Sequence, residues 1–92
     1  GVTRAMLVTG ASSTATVLEL RAGDRPGLLF TLGRTLARER VSVRSAHIAT
    51  HAGQAVDTFY LTDVRGGLLE PAAVGRLITG LIDAADVRLR DD

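Results

Sequence analysis

The sequence predicts an α+β fold with the element order β-α-β-β-α-β, from three changes in its hydrophobic period. Between Thr14 and Ala22 the residues alternate, with Thr16, Leu18, Leu20 and Ala22 on one face and Val17, Glu19 and Arg21 on the other. That is the mark of a half-buried strand. From Leu28 the period becomes helical, with a stripe of Leu28, Leu29, Leu32 and Leu36. Beyond Val41 the strand pattern returns on both sides of a turn at Ala52-Gly53-Gln54, before a second helical stripe begins after Pro71. This order builds the ferredoxin-like sandwich, a four-stranded antiparallel sheet with two helices on one face.

Taken in order, Met6, Leu7 and Val8 can form a short extra N-terminal strand, and Gly10 to Ser13 reads as a turn. After the Thr14–Ala22 strand comes Gly23-Asp24-Arg25-Pro26-Gly27. Pro26 suits the first helical position, where its missing N–H costs nothing. Asp24 is placed to cap the helix and to favour its positive end. Val41 to Ala52 alternates imperfectly: Val41 and Val43 share one parity and Ala46 and Ile48 the other, so a bulge is expected near Arg44-Ser45. Gln54 to Asp63 is a strand rich in β-formers, Val56, Thr58, Phe59 and Tyr60. Arg65-Gly66-Gly67 is a loop, and Pro71 opens a helix carrying Val74, Leu77, Ile78, Leu81 and Ile82. Val87 and Leu89 alternate with Arg88 and Arg90, which reads as a short fourth strand. Residues 1–92 are expected to make a single domain with an ordered core over about 14–83.

Composition narrows the function classes. A hydrophobic share of 46% suits a globular domain, and 11 basic residues against 10 acidic ones demand neither nucleic acid nor an anionic membrane. All the basic residues are Arg, a bias expected of a GC-rich bacterial genome. Cysteine is absent, which removes disulfides, thiol chemistry and Cys-ligated metals. The apolar runs are too short to span a bilayer, and no signal peptide is visible. The expected location is the cytoplasm. A chain that begins with Gly1 reads as a piece of a longer protein.

No catalytic constellation is legible. The chain has two His and no ordered Ser, His and carboxylate set. Acylphosphatases share the fold but need a phosphate-cradling loop after the first strand, where this chain has the carboxylate of Asp24. His47 and His51 share a face of a strand, but four residues of strand span about 13 Å, while a metal sits about 2 Å from each imidazole. One chain cannot chelate with this pair. RNA-binding domains of this architecture stack bases on sheet aromatics, but Phe59 and Tyr60 are adjacent and point to opposite faces, and Phe30 is helical. The expectation is therefore no enzyme activity in this chain alone, no metal, no cofactor and no nucleic acid.

The remaining signal is the turn at residues 23–27. Backbone N–H groups at a helix N-terminus can bind a carboxylate, Asp24 can receive an ammonium, and Gly27 lets a ligand approach closely. Those are the groups an α-amino acid needs. Thr16-Val17-Leu18-Glu19-Leu20 followed by Asp24-Arg25-Pro26-Gly27-Leu28-Leu29 resembles an ACT domain, a ligand-binding regulatory module with this element order and such an Asp/Asn-x-Pro-Gly turn. Val43 to Thr50 and Ala55 to Asp63 are similar to a narrower group, the C-terminal ACT domains of bacterial PII uridylyltransferase/uridylyl-removing enzymes.

The resemblance implies a function in nitrogen-status sensing. The domain would bind an amino acid, glutamine being favoured, between two ACT units, as a homodimer or with a tandem copy. It would act on the catalytic domains of a parent enzyme that modifies the PII protein. Carried onto this sequence, Asp24, Arg25, Pro26, Gly27 and Leu28 would line the ligand site, and Ser45 and His47 of the second strand could approach it from the same or the neighbouring copy. Val17, Glu19, Arg21, Val56, Thr58 and Tyr60 are candidates for the uncovered sheet face, a mixed surface suited to contact. The alternative is a structural ACT module that dimerises or docks on a catalytic domain and binds no ligand.

Overall fold

The computed structural model describes residues 2–86. Its elements are β1 (Arg4–Leu7), β2 (Thr16–Gly23), α1 (Leu28–Arg38), β3 (Ser42–His51), β4 (Gln54–Thr62) and α2 (Pro71–Asp86). The strands form one antiparallel four-stranded sheet in the order β1-β2-β4-β3. The extra N-terminal strand thus forms and takes the edge beside β2. The strand expected over residues 87–90 lies outside the described residues. No helix among the described residues is long and apolar enough to cross a membrane.

Strand alternation fixes the two faces of the sheet. Leu18, Leu20 and Ala22 of β2 and Ala55, Phe59 and Leu61 of β4 are all buried, and they share one core with Leu28, Leu32 and Leu36 of α1 and Leu77 and Leu81 of α2. Both helices therefore cover the same face. Leu29, expected in that stripe, is 51% exposed and lies outside the core. The helices touch at Gly80, where a Cβ would stand 3.2 Å from the Thr35 Cγ2 methyl. On the opposite face Arg21 pairs with Glu19 at 3.3 Å, and Val56, Thr58 and Tyr60 are half-buried. Val17, expected on that open face, is instead buried, with 2% exposure, near the start of β2, where its carbonyl accepts from the Val8 N–H at 2.8 Å.

Two connections set the geometry around the turn. The β3–β4 hairpin is closed by Ala52 and Gly53 with φ of 51° and 77°, a type I′ turn whose twist matches that of the strands. The register shifts between Val43 and Ser45, so the expected bulge falls at Arg44. It puts Val43, Ala46, Ile48 and Thr50 opposite Leu61, Phe59, Asp57 and Ala55, on the helix-covered face. Ser45 and His47, opposite Tyr60 and Thr58, lie on the other face. Helix α1 ends in a Schellman motif: the Val41 N–H donates to the Leu36 carbonyl and the Arg40 N–H to that of Ala37, with Arg40 in the left-handed region at φ 59°.

Candidate functional site

The turn before α1 differs from the capped helix start that the sequence suggests. The Leu28 N–H donates to the Arg25 carbonyl at 3.2 Å, and Gly27 has φ 80° and ψ 0°. Residues 25–28 are therefore a type II turn, with Pro at its second position and Gly at the third, where φ must be positive. Gly27 is the N-cap, α1 begins at Leu28, and no side chain caps it. Pro26 shapes the turn instead of occupying the first helical position, and Asp24 does not cap. The reason is that Pro-Gly is the strongest type II pair, and it outcompetes the Pro-first helix start.

The consequence is a helix end with free donors. Thr31 N–H returns to the Gly27 carbonyl at 3.0 Å, but the N–H groups of Leu29 and Phe30 have no partner among the described residues. The first turn also carries no acidic residue, so no side chain of the helix itself offsets the positive end of its dipole. The turn is anchored at its other end by the hairpin tip, where the Asp24 N–H donates to the Gly53 carbonyl at 2.9 Å.

Between the turn and β3 lies a hollow of about 180 Å³. Asp24, Arg25, Gly27, Leu28, Leu29 and Phe30 line it from one side, and Ile48, Thr50, Ala55 and Asp57 from the sheet. Of the residues expected from the sequence, Asp24, Arg25, Gly27 and Leu28 meet here. Pro26 supports the hollow without lining it, and Ser45 and His47 lie on the far sheet face of the same chain. Arg25 directs its guanidinium away, donating from Nη2 to the Ala84 carbonyl near the end of α2 at 3.0 Å, a favourable place for a cation. Its Nε is buried and has no hydrogen-bond partner among the described residues.

Sequence reasoning passed over Asp57. Its signal was parity: Asp57 falls in the apolar series Ala55, Phe59 and Leu61, where a charge is out of place. It is 2% exposed, and its carboxyl titrates above the usual range, chiefly because burial disfavours the charge. A hydrogen bond from the Ala49 N–H, at 3.4 Å, works in the opposite direction, and Asp24 adds repulsion.

Two larger hollows lie elsewhere. One of about 350 Å³ lies between the helices, lined by residues including Arg34, Arg38 and Asp83. One of about 390 Å³, mostly apolar, lies between the β1–β2 connection and the start of α2. Size is outweighed by chemistry here, because of these three hollows of the described residues only the one at the turn joins free backbone donors to a buried carboxyl.

Residues 16–78 match the ACT domain family. The chain is 50% identical over 76 residues to a bifunctional uridylyltransferase/uridylyl-removing enzyme of Streptomyces coelicolor, covering 79% of this chain and 9% of that protein. Proteins with the same description match from Novosphingobium aromaticivorans (47% identity over 79 residues, 85% of this chain and 9% of the relative) and Erythrobacter litoralis (40% over 83 residues, 89% and 9%). The chain thus spans 9% of the length of these curated relatives. The family match covers well over half of the chain, and the chain belongs to the ACT domain family, whose members are regulatory modules.

Proposed function

We propose that this chain is a small-molecule-sensing domain that binds an amino acid at the turn hollow, glutamine being the favoured ligand. The observation that carries this is the pair of unpartnered N–H groups of Leu29 and Phe30, at an uncapped helix N-terminus that opens onto the hollow. Such an end binds carboxylates. At about 180 Å³ the hollow is smaller than the roughly 300–1,000 Å³ of complete ligand sites. It suits the head of an amino acid, with the side chain read by a second ACT unit, from a homodimer or a tandem copy. Ser45 and His47 of that neighbouring unit could supply part of the second surface. Occupancy would control, in the cytoplasm, the catalytic domains of a parent nucleotidyltransferase acting on the PII protein. The relatives' bifunctional enzymes support that context.

The second reading, a structural module without ligand, is favoured by the open edge of β3, where Val43 and Ile48 are each 46% exposed. A thermal-shift panel of the amino acids separates the two. A ligand at about 100 times its Kd adds roughly 2.7 kcal/mol to stability. A flat panel, on the chain alone and joined to its neighbouring ACT unit, refutes sensing.

A further inference from the structure

Among the described charged residues only Asp57 is buried. It sits mid-sheet, paired with Leu20 of β2 and Ile48 of β3, on the face that carries the turn hollow. Its Oδ1 accepts one long hydrogen bond, from the Ala49 N–H at 3.4 Å, and its other oxygen has no partner among the described residues. No cation pairs with it: Arg25, on the same hollow, gives Nη2 to the Ala84 carbonyl and forms no ion pair with Asp57, and the ion pairs of the described residues lie elsewhere. A buried carboxylate without a counter-ion is costly. The same small space therefore holds an unanswered negative group on the sheet and unanswered N–H donors on α1.

We propose that Asp57 is the group that receives the ligand's ammonium, so that the hollow grips both ends of a zwitterion. The inference rests on the amino-acid reading above and replaces Asp24 in that role. Asp24 is exposed, where water and salt weaken an ion pair, whereas Asp57 meets its partner in a drier setting. The ligand class narrows to molecules with a free α-ammonium beside a carboxylate; deaminated analogues lack the group that answers Asp57.

The test titrates the chain with L-glutamine, with glutaramate (glutamine without its α-ammonium) and with ethylammonium. It follows affinity by calorimetry and the Asp57 carboxyl carbon by NMR. We expect glutamine to bind at least about tenfold more tightly than glutaramate and to move the Asp57 resonance. Asp57→Asn should remove that preference and Asp24→Asn should keep it, both variants being checked for folding by circular dichroism. Comparing the two ligands on the unaltered chain keeps the test valid if a variant fails to fold. Equal affinity for glutamine and glutaramate, or a preference that survives Asp57→Asn, overturns the proposal while leaving amino-acid binding intact. Ethylammonium moving the Asp57 resonance without any binding of glutamine supports Asp57 as an ammonium acceptor and refutes glutamine as its ligand. No response to any of the three compounds overturns both the Asp57 assignment and glutamine as the ligand.

Discussion

Replacing Gly27 tests whether α1 begins with a type II turn or with Pro26 as its first residue. Gly27 has φ 80°, and a Cβ built on it meets nothing within 4 Å. Its replacement by Ala therefore carries no steric cost from neighbours, and the whole effect is backbone strain. An L residue in the left-handed region costs roughly 1–2 kcal/mol, partly offset by the narrower unfolded ensemble of Ala, so the net loss should be about 1 kcal/mol. In a domain of this size that is a fall of about 4–8 °C in Tm. Gly27→Asn should cost only about a few tenths of a kcal/mol, because Asn tolerates positive φ. Gly27→Val should cost more than Ala and also lose any ligand-induced shift. Urea denaturation with an unchanged m-value measures each loss. If Ala proves as stable as wild type, Gly27 is not held at positive φ, and the turn and its free N–H groups are wrongly placed.

Other substitutions probe the same frame. Arg40→Gly should stabilise by about 0.5–1 kcal/mol, since Arg40 closes the Schellman motif at φ 59°, a position Gly fills without strain. Gly33→Ala and Gly75→Ala, both exposed in helices with open space at Cβ, should each raise stability by about 0.5–1 kcal/mol in denaturant melts. Gly80→Ala should lose most of that gain against Thr35, whose Cγ2 lies 3.2 Å from the new Cβ. Asp57→Asn should raise the stability of the ligand-free chain at neutral pH. Because burial lifts the Asp57 pKa, the native state holds its proton at pH values where the unfolded chain has lost it. That term strengthens wild type as pH falls through the native pKa, so the advantage of Asn should shrink toward about pH 4 in melts across pH. Asp63 pulls in the opposite direction, its carboxyl held low chiefly by the Gly67 amide. It is common to both proteins and cancels in the difference.

Much of the fold was legible because the β2 and β4 patterns obey one period. Thr16, Leu18, Leu20 and Ala22 could be assigned to the core from alternation alone, and the bulge at Arg44 from the parity switch between Val43 and Ala46. The hairpin at Ala52-Gly53 was equally clear. The helix start was not, because Pro26 and Gly27 serve both a Pro-first helix and a type II turn, and only the backbone conformation at Gly27 decides. The site was half legible. Asp24, Arg25, Gly27 and Leu28 do meet at one hollow, but its sheet wall is Ile48, Thr50 and Asp57, not Ser45 and His47. Sorting the faces of β3 requires the location of the bulge to a single residue, since a slip of one residue reverses every side chain. Arg25 illustrates the other gap: its guanidinium bonds a residue of α2 far along the chain, a contact that no local pattern encodes.

The central claim, that the turn hollow is the sensing half-site, is tested most directly by following backbone amide resonances while L-glutamine is added to the chain. The largest shifts are expected at Leu29 and Phe30, with Thr50 and Asp57 moving along with them across the hollow. Saturating glutamine that leaves these amides still, or moves only the interhelical hollow around Arg34 and Arg38, would contradict it.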